Sequence, residues 1–328
     1  MIKILNGGFQ TLIEEWIGRV GYMDIGIANS GTMDHFAARA ANLLVKNPLN
    51  EAVIEIICGS FNAEFEEDAT IAITGADFKP MLNGKPIRLW EAISVKKGDI
   101  IESGCMSQDS VGFRQYWAIS GGIDIPLYLG SKSTAIYGGF GGYKGRALKK
   151  GDELKLINST KNIESLSGRK LNPKIVPEYK TDWVMRAIPG PCSAPDYFTV
   201  EGMEQFFTAK YKSQTVAERS GIRLDGPKPI WSEVRLTGGG HPSNVIDNGY
   251  PGPGCLDISG DVPILFPREC PTSGGYACAL SVVYADQWIM GQIIPGKDTV
   301  KFEYSTIEEA VELRKKQNEL LTESYIIK

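Results

Sequence analysis

Histidine is scarce in this 328-residue chain, which has two, and its six cysteines (Cys58, Cys105, Cys192, Cys255, Cys270, Cys278) include no C-x-x-C pair. A zinc or iron–sulfur centre finds few ligands at conventional spacing, so no bound metal is expected. No apolar run approaches the ~20 residues needed to cross a bilayer. The opening MIKILNGGF has none of the charged region, apolar stretch and cleavage site of an export signal. A cytoplasmic location is therefore expected, with the thiols free and buried rather than disulfide-linked. Lysine and arginine form no long block and the net charge is −4, so neither nucleic acid nor an anionic membrane is expected as a partner.

What is present is a strand-and-turn pattern. Short runs rich in β-branched or aromatic residues, AVIEII, ATIAIT, QYWAIS, ELKLI, WVMRAI, VPILF, ALSVVYA and TVKFEY, recur between the 37 glycines and 18 prolines. That spacing predicts a mainly β fold of barrels or sandwiches with a few helices. The stretches VKKGDIIES (95–103), LKKGDELKL (148–156) and IPGKDTVKF (294–302) each set a Lys/Gly/Asp turn before a strand, a small internal echo. Helices are expected in 30–47, capped by Ser30 or by Thr32 with Asp34, in 199–211 behind Thr199, and in 305–325. The length suggests two domains. The polar, proline-interrupted 158–182 reads as their connection, with domains at 1–180 and 181–328, the second carrying the C-terminal helix.

Three glycine-rich stretches hold the candidate chemistry. YGGFGGYKGR (137–146) either cradles an anion on open N–H groups beside Lys144 and Arg146 or is a hairpin tip, and no G-K-[ST] follows to make it a P-loop. PTSGGYAC (271–278) offers the Ser273 hydroxyl and the N–H groups of Gly274 and Gly275, without the G-x-S-x-G pattern. A triad of Ser273, His241 and Asp247 is conceivable, but spacing alone does not establish it. GGGHPSNVIDNGYPGPG (238–254) gathers His241, Ser243, Asn244, Asp247, Asn248 and Tyr250. Its amides both donate and accept, which suits a planar ureido, amide or guanidinium group, though Asn and Asp equally often close turns.

Several of these stretches, taken in order, resemble one family. GRVGYMDIGIANSGTMDHFAARAANLLVKNPLNEAVIEI (18–56), YWAISGGIDIPLYLGSKSTAIYGGFGGYKGRALKKGD (116–152), IPGPCSAPDYFTVEGMEQFF (188–207), SGIRLDGPKP (220–229), HPSNVIDNGY, SGDVPILF and GQIIPGKDTVKF resemble the biotin-dependent carboxyltransferases, also named for allophanate hydrolase subunit 2. The resemblance implies two tandem cyclophilin-like β-barrel domains. It implies carboxyl transfer from carboxybiotin, carried on a separate domain, to the nitrogen of a urea-like acceptor such as urea, guanidine or an amide. The implied partners are an allophanate hydrolase subunit 1-like chain, a biotin carboxylase and a biotin carrier.

The H-P-S-N-x-x-D-N run leans toward the urea carboxylase branch. The third subunit of ATP-dependent 5-oxoprolinase and the non-catalytic Kip-type regulators share the earlier signatures and stand as alternatives. On this resemblance Asn244 and Asn248 bind the biotin ureido group or the acceptor, with His241 and Asp247 orienting them. Ser243 and Tyr250 lie in the same binding loop. Ser273, Gly274, Gly275 and Tyr276 supply donors or a wall, and Tyr143, Lys144 and Arg146 face biotin or the partner chain. Two stretches depart from the pattern. FPRECPTSGGY (266–276) replaces an acidic G-P-D-G-P-S-L-G-G-F, and FQTLIEEWIGR lacks a T-x-Q-D.

Overall fold

The computed structural model describes residues 1–158, 163–245 and 252–328. The chain divides into two compact units, one of residues 1–20, 30–179 and 318–328, the other of 21–29 and 180–317.

In the first unit the alternation of large apolar and polar residues builds sheets. Phe61, Ala63 and Phe65 are buried while Asn62 and Glu64 between them are half-exposed, as a strand with one core face requires. This strand, Phe61–Phe65, lies in a six-stranded sheet next to Ile2–Gly7. A second, five-stranded sheet has Arg114–Ile119 at its centre, flanked by Val53–Ile57 and Ala69–Gly75. Ile2, Ile4, Phe61 and Phe65 from one sheet pack with Ile54, Ile71, Ile73 and Trp117 from the other in a single core. The three inner strands of the second sheet are buried at every position; the helix His35–Leu44 lies against two of them, Ala69–Gly75 and Arg114–Ile119, and every residue of that helix is buried as well.

The helix is capped by Asp34, whose side chain accepts from the Ala37 N–H at 2.8 Å. The cap is thus Asp34 itself, neither Ser30 nor Thr32. The expected connection 158–182 carries structure of its own. Arg169 donates to the Leu43 and Leu44 carbonyls at the far end of the same helix and forms a bidentate pair with Glu323. The short strand Lys170–Leu171 pairs with Ile326–Ile327.

The second unit is a closed seven-stranded barrel in the order Asp182–Pro189, Ala277–Val282, Cys255–Ser259, Val262–Leu265, Ile222–Asp225, Lys210–Ala217, Thr299–Tyr304. The last strand pairs parallel with the first and closes the ring, so that each barrel strand has a neighbour on both sides. Helix Val200–Thr208 follows Thr199, whose hydroxyl accepts from the Gly202 N–H at 2.9 Å, so this cap stands as expected. The C-terminal helix runs Ile307–Leu320. Among the described residues no helix is long and apolar enough to cross a membrane. All six cysteines are free thiols; Cys192, Cys270 and Cys278 are buried, Cys58 and Cys255 half-buried, and Cys105 is exposed rather than buried.

Candidate functional site

The short helix Glu233–Thr237 opens on Ser232 and runs into Gly238–Gly240, where Gly239 and Gly240 take φ of +77° and +72°. These left-handed angles turn the chain back on the helix, a conformation that L side chains seldom adopt. Arg235 then clamps the loop. Its Nε and Nη2 donate to the Pro242 carbonyl at 3.1 and 3.0 Å, Nη2 also reaches the Asn244 carbonyl, and the guanidinium lies 5.0 Å from the Tyr197 ring centre. The Asn244 N–H closes a tight turn on the His241 carbonyl at 2.9 Å.

His241 is held from both ring nitrogens. Nδ1 is 2.8 Å from the Ser243 hydroxyl and Nε2 is 3.6 Å from Asp261 Oδ1, while the ring stands edge-on to Trp231. Ser243 is buried, and its oxygen accepts the Gly260 N–H at 3.0 Å. Asp261 also faces Trp231 Nε1 and Lys228. Burial opposes its ionisation, but the Trp231, Lys228 and His241 groups outweigh that and hold its carboxyl below the usual range. The hydroxyl beside His241 is therefore Ser243, not Ser273, and it is enclosed and occupied. This Ser–His–Asp constellation stiffens a loop; it does not expose a nucleophile. The clamp leaves the side chains of His241 and Asn244 exposed.

The second glycine-rich stretch lies beside this loop. Gly275 has φ +106°, and a Cβ built on it would sit 3.9 Å from the Val245 carbonyl oxygen. Ser273 and Gly275 are exposed; Gly274 and Tyr276 are half-buried. Tyr276 meets Phe266 edge to face, with ring centres 5.6 Å apart, and both line a cavity of about 280 Å3 with Ile264, Glu218, Ser220 and Arg223. The segment 21–29, which contains the GYMDIGI motif, comes to the same region: Met23 packs on Ile264, Phe266 and Cys270. Asp247, Asn248 and Tyr250 lie outside the described residues.

Tyr143, Lys144 and Arg146 belong to the first unit. Arg146 forms a bidentate pair with Asp152 at 2.7 and 2.8 Å, and both basic groups lie over the Tyr143 ring. Tyr143 packs against the first unit's core. A Cβ at Gly142 would overlap the Thr134 hydroxyl and one at Gly145 the Gly139 carbonyl, so both glycines serve close packing. In the SGTMD motif, Tyr179 donates to Asp34 at 2.9 Å, and the Asp34 and Met33 N–H groups donate to Tyr116 and Glu55. Burial raises both phenols, so they stay protonated there.

Arg235, Trp231, Asp261 and Phe266 complete the site without having been singled out in the sequence. Asp261 follows Gly260 within SGDVPILF, a turn pattern that could have drawn attention to it. Arg235 has no comparable signal, because its role depends on the chain doubling back.

Comparison with known proteins agrees with this architecture. The chain is 37% identical over 324 residues to urea amidolyase of Lachancea kluyveri, covering 96% of this chain and 17% of that protein. It is 30% identical over 323 residues to the third (C) subunit of 5-oxoprolinase of Escherichia coli (strain K12), covering 97% and 95%. The crystal structure of Kluyveromyces lactis urea carboxylase superposes with a TM-score of 0.90 at 34% identity, over 99% of this chain and 30% of that one. Residues 25–304 match the family described as carboxyltransferase domain, subdomain A and B. The chain belongs to this carboxyltransferase domain family.

Proposed function

We propose that this chain is the carboxyltransferase component of a biotin-dependent, cytoplasmic multi-component enzyme, acting on the nitrogen of a small urea-like acceptor. The observation that carries the reading is the graded likeness: 37% identity to urea amidolyase against 30% to the 5-oxoprolinase component. The chain spans 17% of the urea amidolyases it matches, so the other activities that the proposed reaction needs lie outside these residues. These would be a biotin carboxylase, a biotin carrier and an allophanate hydrolase subunit 1-like partner.

The residues present fit a biotin ureido ring. The cavity of about 280 Å3 joins aromatic Phe266 and Tyr276 to polar Ser220, Glu218 and Arg223, and the exposed Asn244 amide offers a donor and an acceptor nearby in the same unit. When bound, carboxybiotin supplies the activated carboxyl group. Asn244 binds a ureido face of biotin or acceptor, and the same role is proposed for Asn248. The N–H groups of Gly274 and Gly275, with the Ser273 hydroxyl beside them, would stabilise developing carboxylate charge. Phe266 and Tyr276 exclude water. His241, through Ser243 and Asp261, keeps the loop in place, and Asp247 and Tyr250 are proposed to extend the same loop. Orientation of two reactants is worth up to about 7–11 kcal/mol, and one aimed donor about 3–4 kcal/mol.

Asn244→Ala in the reconstituted complex is expected to lower carboxyl transfer by about 100-fold or more while the fold is retained. Transfer at a near wild-type rate by the folded variant would remove Asn244 from the site. One observation favours a second reading: the Escherichia coli 5-oxoprolinase component is matched over 95% of its own length. On that reading the assembled activity is ATP hydrolysis dependent on 5-oxoproline and insensitive to avidin.

A further inference from the structure

One buried cluster of the barrel has no part in the proposed transfer. Asp257, in the strand Cys255–Ser259, faces Cys278 across an antiparallel ladder, and Cys255 lies two residues earlier on the same strand face. The pairing jumps from Leu256–Leu280 to Asp257–Cys278, so Ala279 is the extra residue of a β-bulge. Its carbonyl accepts the Gly190 N–H at 2.7 Å instead, and the Cys278 carbonyl accepts the Cys192 N–H at 3.0 Å. The bulge thereby sets Cys278 opposite Asp257. Cys255 Sγ, Cys278 Sγ and a carboxylate oxygen of Asp257 all lie within 4.8 Å of one another.

Asp257 is 0% exposed, and neither of its oxygens receives an N–H or O–H. A buried carboxylate in that position is costly unless it takes up a proton or a cation compensates it. Cys278 is 3% exposed. Cys255 is half-buried and accepts the Gly252 N–H at 3.3 Å, a donor suited to an anionic sulfur.

We propose that Cys255, Asp257 and Cys278 form a three-ligand site for a thiophilic divalent transition-metal ion of the zinc class. A tetrahedral ion at about 2.3 Å from sulfur and about 2.1 Å from oxygen holds its ligand atoms roughly 3.5–3.8 Å apart, a contraction of about 1 Å from the widest spacing here. Two thiolates select zinc or cobalt over magnesium and calcium. Binding releases the two thiol protons and leaves a fourth position for water. The expectation of no metal rested on ligands close in sequence; here neighbouring strands bring them together. The ion would also staple the strand leading to Gly260 and Asp261, the groups that hold Ser243 and His241.

The test is titration of the reduced, metal-stripped chain with Co2+ and then Zn2+. The expected result is a thiolate-to-cobalt charge-transfer band that saturates at one ion per chain and is bleached by Zn2+. Cys278→Ser and Asp257→Asn should lose the band, but both sites are deeply buried and either variant could fail to fold. The half-buried Cys255→Ser, checked for fold by circular dichroism, should lose it too, whereas the exposed Cys105→Ser keeps it. Absence of the band in folded wild-type protein overturns the site by itself, as does a band that survives in Cys255→Ser.

Discussion

Glu269 shows how a single residue can be noticed for the wrong reason. It sits in FPRECPTSGGY, one of the two stretches that depart from the family pattern. In the fold it is buried, its Oε1 is 3.0 Å from Arg219 Nε, and its N–H donates to the Arg219 carbonyl. Its neighbour Cys270 packs with Ile264 and Phe266, and burial raises that thiol to about 12, so it stays protonated. The divergent residues thus form support behind the cavity wall. Glu269→Ala should destabilise the protein by about 3–5 kcal/mol, because it removes the carboxylate paired with a buried guanidinium. A paired replacement by Met and Leu should recover much of that loss, and urea denaturation midpoints would measure both. His241 is a parallel case. Its rarity made it conspicuous, yet its ring is engaged by Ser243 and lies beside Asp261, while the neighbouring Asn244, exposed like His241 itself, carries the amide proposed to meet a ligand. Composition could mark the loop as polar. It could not tell clamp from contact, because that distinction comes from Arg235 reaching back along the chain.

Elements were more legible than residues, for a physical reason: turns and caps are local. In the three echoed stretches the aspartate closes its own turn. Asp99 accepts the Lys96 N–H, Asp152 the Lys149 N–H and Asp298 the Ile294 N–H, each at 2.7–2.9 Å. The strands Ile100–Glu102, Glu153–Leu154 and Thr299–Tyr304 follow directly. What spacing could not show was the long-range pairing: the Arg169 cap on helix His35–Leu44, the pairing of Lys170–Leu171 with the C-terminus, and the Ala279 bulge. The Asp152 turn has a pH signature. The Arg146 hydrogen bonds, foremost, hold the Asp152 carboxyl below its ordinary value. A depressed carboxylate contributes stability that is complete above its unfolded pKa of about 4 and is lost as pH falls through the lower folded value. Arg146→Met should therefore destabilise the protein fully near neutral pH, and the difference from wild type should shrink below about pH 4. Denaturation midpoints across that range would check it. A variant whose deficit is the same at every pH would show that Arg146 acts through packing on Tyr143.

At the scale of the whole molecule, fold and family were readable because the signatures recur in order along nearly the entire chain, and a mainly β architecture with a closed barrel carries them. The acceptor was not readable. Urea, guanidine and other amides present similar planar faces, and specificity resides in side chains from several segments and in any partner that completes the pocket. This chain spans a small share of the urea amidolyases it matches, and the proposed activity needs carboxylase and carrier functions beyond the residues described. The central claim is biotin-dependent carboxyl transfer, and one measurement addresses it most directly. The chain is combined with its subunit 1-like partner, biotin carboxylase, biotinylated carrier, ATP and labelled bicarbonate, and label incorporation into urea, guanidine or a simple amide is followed with and without avidin. The account predicts acceptor-dependent incorporation that avidin abolishes. ATP hydrolysis that requires 5-oxoproline, proceeds without the carrier and ignores avidin would contradict it.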